Sequence, residues 1–289
     1  MEQAFLKLLI MNKYFIILIL VFYTTIAKAQ KPEDFAIIDT TVYRCVYLYQ
    51  FQTDSTNVNS QKSELVALEV GNRVSIYTAK SKFIIDSLLY AYSNEPEEVV
   101  FQKIYSQVYS MMPHPYNVHR IYKNYPEPGE IFTDGAKSIQ VREKLDFGWN
   151  IISDSDSTIQ GYNCIKATTK FAGRNYIAWF SPDIPINDGP YKFHGLPGLI
   201  LDICDTKNEH HFTIQSFSKL QGIKPIMTIA PSKTPQLVCA EEYVKALEVS
   251  LAAAAQRIAD PAITQTNDDV RANAIRKTKR VNNYIERYK

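Results

Sequence analysis

The stretch from residue 147 to residue 220 leaves this chain few ways to fold. Apolar, β-branched and aromatic residues gather there in strand-length segments at 147–152, 159–171, 174–181, 199–205 and 212–220. All but one of the links between them are too short to hold a helix. The polar run Ser153-Asp154-Ser155-Asp156-Ser157 predicts the first turn, Ala172-Gly173 the second and Lys207-Asn208-Glu209 the last. Parallel neighbours need a crossover of about a dozen residues or more, so short links dictate antiparallel pairing.

The flanks extend this pattern. In residues 42–51, Tyr43, Cys45, Tyr47, Tyr49 and Phe51 share one face at period two, and Val46 and Leu48 share the other. A strand apolar on both faces is covered on both sides or lies in a curled sheet. Residues 65–70 and 73–79 read as a pair turning at Gly71-Asn72. The period then changes. Ile85, Leu88, Leu89 and Tyr92 predict a helix over 82–92, and Pro96 opens a second that runs to Met112 with Val100, Ile104, Val108 and Met111 along it. Pro113, Pro115, Pro126 and Pro128 keep the next stretch irregular. Residues 240–259 read as a helix with Tyr243, Leu247 and Leu251 on one face, stopped by Pro261. A further helix is expected from Asp268, striped by Val281, Ile285 and Tyr288. The fold class expected is therefore α+β: a curved, mainly antiparallel β-sheet, open like a half-barrel, packed with helices. That architecture is similar to the open half-barrels of periplasmic lipoprotein carriers, which hold apolar ligands on a concave sheet, although architecture does not fix function.

The first 29 residues read as a signal peptide. Lys13 precedes an apolar run over 14–26 broken only by Thr24 and Thr25, and Ala27-Lys28-Ala29 supplies a small-x-small cleavage site. The run is shorter than the roughly 20 residues that anchor a helix in a bilayer. Met11, just before Asn12-Lys13, is an alternative start to Met1. Cleavage after Ala29 leaves residues 30–289, long enough for one substantial core. The leader carries away Lys7, Lys13, Lys28 and Glu2, so the formal charge of +2 falls to zero. Nothing in that balance suits nucleic acid, and no later stretch is long and apolar enough to span a membrane. The expected localisation is the periplasm or cell envelope.

Chemistry is harder to find. The four cysteines, Cys45, Cys164, Cys204 and Cys239, have no C-x-x-C spacing. They could pair in three ways or stay as buried thiols; a Cys164–Cys204 bridge requires their strands to adjoin. His210 and His211, side by side on a strand, point to opposite faces and cannot chelate together. His114 and His119 lack a Glu or Cys at ligand spacing. Asp154-x-Asp156-x-Thr158 resembles the start of a calcium loop, but Ile159 and Ile165 stand where its Gly and Glu belong. There is no nucleophile elbow, H-E-x-x-H or Gly-rich phosphate loop. No metal, cofactor or catalytic residue is assigned. Asp202, set in apolar sequence, is expected on the outer face of its strand opposite Leu199, Leu201 and Ile203. Sharing that face with Ile200 and Cys204 is awkward; Arg174 is its expected ion-pair partner.

An ordered series of motifs carries a family resemblance. It comprises Ile159-Gln160-Gly161-Tyr162-Asn163-Cys164-Ile165-Lys166-Ala167, Gly173-Arg174-Asn175-Tyr176-Ile177-Ala178-Trp179-Phe180, Asp183-Ile184-Pro185-Ile186, Gly189-Pro190-Tyr191-Lys192-Phe193 and finally Gly195-Leu196-Pro197-Gly198-Leu199-Ile200. The chain resembles the GLPGLI family, named for the last six residues, over about 55 residues. The resemblance implies an exported protein of Bacteroidota-type bacteria, often encoded near outer-membrane receptor systems, with 30–289 as a single domain ending in a helical tail. It implies no reaction, the family's function being unknown. Physically, Leu196-Pro197-Gly198-Leu199 suits a type II turn, Pro197 setting one φ and Gly198 supplying a positive one.

The long crossing from Pro182 to Pro197 is rich in proline and apolar groups, as compact functional loops often are. With Trp179 before it, Tyr191, Phe193 and His194 within it and Arg174 nearby, it is the expected docking place for an apolar small ligand or an envelope protein partner. Three readings follow. A non-enzymatic ligand- or partner-binding protein of the envelope leads; an envelope hydrolase with a metal or carboxylate site, and a structural component of an outer-membrane receptor complex, are the rivals.

Overall fold

Strand β1 (Phe35–Gln52) is the spine of the computed structural model, which describes residues 35–104, 115–117, 119–134, 139–222, 224–229, 236–259 and 283–287. The leader, the second helix beyond Ile104, His114 and most of the expected C-terminal helix lie outside these residues. Its 18 residues pair with three partners: β12 (Pro225–Ile229) early on, then β2 (Gln61–Gly71) on one side and β11 (His210–Lys219) on the other. Beyond β2 come β3 (Ser75–Ala79), β4 (Arg120–Lys123), β5 (Ile131–Asp134), β6 (Ile139–Glu143) and β13 (Gln236–Val238). Beyond β11 come β10 (Leu199–Asp205), β9 (Arg174–Ser181), β8 (Tyr162–Phe171) and β7 (Asn150–Ile159). Every pairing is antiparallel except β13 with β6. Among the described residues this is one open sheet of 13 strands with three α-helices, the α+β class that the alternating segments predict.

The main helix contacts with the sheet fall on the β2-to-β13 side of β1. α1 (Lys80–Ala91) follows β3 and rests on the β2–β3 hairpin, and α2 (Glu97–Ile104), which buries Val100 and Ile104, packs on α1. The apolar stripe of α1 is only half-buried. Its buried residue is Asp86, whose carboxylate pairs at 2.5 Å with Arg120 of β4. α3 (Ala240–Ala259) touches β6 and buries Tyr243, whose hydroxyl meets His119 at 2.9 Å.

Tertiary structure changes three local expectations. The turn between β7 and β8 is Gln160-Gly161, with φ of 51° and 82°, as a tight two-residue hairpin requires. The run Ser153–Ser157 instead continues β7, with a register shift between Ile152 and Asp156. An edge strand tolerates such polarity because one side faces water, and an irregular, acidic edge resists pairing with other chains. Leu196-Pro197-Gly198 makes no type II turn. The Gly198 N–H donates to the Leu196 carbonyl at 2.8 Å, while the Leu199 N–H goes to Ile184 at 3.0 Å. Residues 283–287 are not helical; their polar side chains find better partners by lying against the sheet, as described below.

The sheet is strongly curved, and the crossing between β9 and β10 fills its hollow. Lys123 of β4 hydrogen-bonds to Asp188, Gly189 and Phe193 of the crossing, while the Phe193 ring lies 4.8 Å from that of Tyr176 on β9. Strands β4 and β9 stand six spacings apart, about 29 Å on a flat sheet. Neighbouring residues of one crossing meet both only because the sheet wraps around it. Phe193 and Leu196 are accordingly buried with inward-facing Tyr47, Tyr77, Ile121, Tyr176 and Phe212.

Candidate functional site

Two regions gather polar side chains at this framework: the plugged concave face and the outer face of β8 to β11.

On the concave side the plug is held by buried charge. The Lys123 ammonium makes an ion pair with Asp188 and donates to the carbonyls of Gly189 at 2.6 Å and Phe193 at 3.2 Å. Burial pushes this amine below the usual lysine range, and the Asp188 carboxylate opposes that push. Lys192, also buried, lies 2.5 Å from Glu143 and 2.6 Å from Glu286. Burial would lower Lys192 too, but the two carboxylates outweigh it and hold it above its ordinary value. Three further bonds close the plug: Tyr47 hydroxyl to Ile200 carbonyl at 2.8 Å, Trp149 Nε1–H to His194 carbonyl at 2.8 Å, and Ile200 N–H to Asp188 carbonyl at 3.0 Å.

Residues 283–287 strap one end of the sheet and the plug together. The Arg174 guanidinium donates to Asp205 at 2.9 Å, Glu209 at 2.6 Å, Asn283 Oδ1 at 2.6 Å and the Tyr284 carbonyl at 2.8 Å. The Tyr191 hydroxyl donates to Glu286 at 2.9 Å, and the Arg287 N–H to the Ala172 carbonyl at 2.8 Å. Gly173 is required there, since a Cβ would lie 2.5 Å from the Arg287 carbonyl oxygen.

His210 is sealed into the same end, its Nδ1 2.7 Å from the Tyr49 hydroxyl. Burial, then the cations of Arg174 and Arg287, hold it well below 6.5. It stays neutral in the fold while its unfolded counterpart takes up a proton below about pH 6.5. The contribution is therefore complete above that pH and declines as pH falls towards the depressed folded value. In urea denaturation, the stability advantage of the wild type over His210→Asn should shrink from pH 7 to pH 5, by at most about 1.4 kcal/mol per pH unit. An unchanged difference would mean that His210 titrates alike in the folded and unfolded chain, and a difference that grows would mean that it is protonated in the fold.

The outer face carries a second constellation. Cross-strand partners share a face, and the registers align Lys166, Trp179, Asp202, Thr213 and Leu48 across β8, β9, β10, β11 and β1. One row along, Ile177, Cys204, His211 and Gln50 align likewise. His211 Nε2 lies 2.8 Å from Asp202 Oδ2, which also accepts from the Thr213 hydroxyl at 2.9 Å. One donor atom from each of Asp202, Cys204 and His211 falls within 4.8 Å of the others. The hydrogen bond that His211 donates to the Asp202 carboxylate raises the His211 pKa, and burial raises the Cys204 thiol to about 11.

Asp202 does face outward as expected, but its partner is His211, and Arg174 lies on the other face with Asp205 and Glu209. The chain departs from strict alternation because the β9–β10 register shifts between Ile200 and Asp202. That shift lets Ile200 enter the core with Leu199 and Leu201. Cys164 and Cys204 cannot bridge, since β9 separates their strands; all four cysteines are free thiols. Of the five residues expected at a docking site, Phe193 is fully buried, Arg174 and Tyr191 are buried, and His194 is half-buried within the plug. Trp179 is half-buried on the opposite, outer face, with the Lys166 ammonium 5.9 Å from its ring. The convergence of Asp202, Cys204 and His211 escapes a reading of the sequence because it depends on register. The available signal was Asp-x-Cys on one strand face and a histidine after the following turn.

Residues 171–202 match a family described as a protein of unknown function, Porph_ging. The match runs from the end of β8 through β9 and the plug into β10. A search of curated proteins finds no match. Among solved structures, PNGF-II in its P21 and C2 crystal forms is similar at 12% and 13% identity, with TM-scores of 0.44 and 0.46. Each of these covers 71% of this chain and 32% of PNGF-II, so the chain spans about a third of that protein. The MucA/MucB complex of Pseudomonas aeruginosa is similar at 7% identity with a TM-score of 0.29, over 67% of this chain and 54% of that one.

Proposed function

We propose that this chain is an exported, GLPGLI-type protein of the cell envelope that binds a protein partner and has no catalysis of its own. The observation that carries this reading is the plug. A carrier of apolar ligands keeps its concave face open, whereas here the chain's own crossing occupies that space and is fixed by the buried Lys123–Asp188 and Lys192–Glu286 pairs. That favours a partner over an enclosed ligand. The half-exposed outer row around Trp179 and Leu48 then offers aromatic and apolar contact area flanked by charge, the composition that binding surfaces favour. Export follows from Lys13, the apolar run and Ala27-Lys28-Ala29. Among the described residues, no helix is long and apolar enough to cross a membrane.

The test is mass spectrometry of tagged protein purified from its native envelope, beside a Trp179→Ala variant. The proposal expects a stoichiometric protein partner, depleted by the substitution, and no stoichiometric lipid. A retained lipid, or a partner indifferent to Trp179, would overturn it.

The hydrolase reading gains one feature, the Asp202–His211 hydrogen bond, but the geometry opposes a nucleophile relay. In such a relay the histidine uses one nitrogen for the acid and the other for the nucleophile. Here Asp202 and Thr213 both face the same Nε2.

A further inference from the structure

We infer that Asp202, Cys204 and His211 form a transition-metal site on the outer face of the sheet, with Zn2+ as the ion whose ligand preferences the set fits.

The backbone alone creates the convergence. Asp202 and Cys204 are two residues apart on β10 and so project from the same face, and His211 is the direct cross-strand partner of Cys204. Thr213 stands opposite Asp202 in the same register. Carboxylate oxygen, cysteine sulfur and imidazole nitrogen are thereby gathered within 4.8 Å of one another, and all three residues are half-buried, reachable from solvent yet partly shielded. Donors around a tetrahedral zinc ion stand about 3.3–3.8 Å apart when bonds are 2.0–2.3 Å long. Side-chain rotation of roughly an ångström closes the difference, without moving either strand.

The donor types narrow the ion. A thiolate and an imidazole disfavour Mg2+ and Ca2+, which take oxygen ligands, and favour zinc and its neighbours. Three protein ligands leave a fourth position for water or for a donor from another molecule, the open form of a zinc site. The Thr213 hydroxyl already donates to the Asp202 carboxylate at 2.9 Å, so it would orient that ligand as an outer-shell partner. On binding, the ion replaces the hydrogen bond between Asp202 and His211, and the Cys204 thiol gives up its proton to solvent. No redox change is involved.

Calorimetry with ZnCl2 on the reduced, purified protein should show one equivalent bound with a Kd in the micromolar range or tighter. Asp202→Asn, Cys204→Ser and His211→Ala should each weaken binding about tenfold or more, and Thr213→Val by less. Cys239→Ser, on an exposed cysteine outside the site, should leave it unchanged. Co2+ substitution gives a readout that needs no variant. Wild-type protein should show thiolate-to-cobalt charge-transfer absorption and the intense visible bands of four-coordinate cobalt. Absence of the thiolate band in the wild type, or unchanged stoichiometric zinc binding in the folded triple variant, would overturn the assignment.

Discussion

Replacing Gly198 with alanine should lower the unfolding free energy by at least about 3 kcal/mol, enough to drop the melting temperature by roughly 6–12 °C. A Cβ on this residue would stand 2.1 Å from the Ser181 carbonyl oxygen, 2.6 Å from its carbon and 3.0 Å from the Pro182 nitrogen. All three are main-chain atoms where the crossing leaves β9, so no rotamer relieves the clash. Either the end of the plug shifts out of the hollow or the β9–β10 pairing breaks. Gly129 supplies the control. Its φ is 78° and nothing lies within 4 Å of its added Cβ, so alanine there should cost only about 1–2 kcal/mol of backbone strain. Thermal and urea denaturation of the two variants decides the matter, and equal losses would mean that Gly198 acts by chain flexibility rather than close approach.

The second large effect is expected at Lys123. Lys123→Met removes the cation from an ion pair that is almost fully buried, leaving the Asp188 carboxylate uncompensated and two carbonyls without their donor. Losing one member of such a pair costs about 3–5 kcal/mol. Lys123→Met/Asp188→Asn removes both charges and should recover at least about 2 kcal/mol of that loss, because the carboxyl no longer has to be charged in the interior. A double variant no better than the single one would mean that the carbonyl contacts, rather than the pair, hold the plug.

How much of this was legible depended on how local the cause was. The face shared by Cys45, Tyr47 and Tyr49, the Gly71-Asn72 reversal and the Ala240–Ala259 helix follow from periodicity and turn chemistry over a few residues, and the structure has them. The turn misplaced at 153–157 shows the limit of that logic. Serine and aspartate favour turns, but on a sheet edge they also suit a solvated strand, and only pairing with β8 separates the two. The plug and the strap were further out of reach. Pro182 to Pro197 advertises an unusual loop, yet its use as core depends on curvature and on Lys123, some sixty residues earlier in the chain. Likewise Arg174 looked like a partner for Asp202, and a register shift at Leu201 together with the approach of Asn283 gave it other company.

The measurement that reaches the plug most directly is native-state amide hydrogen exchange on the purified protein at neutral pH. Amides of Asp188, Leu199 and Ile200, bonded to Ile186, Ile184 and Asp188, should exchange as slowly as those in the centre of β9, since they would open only with the core. Exchange at those positions as fast as at the exposed 127–129 turn would contradict the account, showing a hollow that stands open in solution.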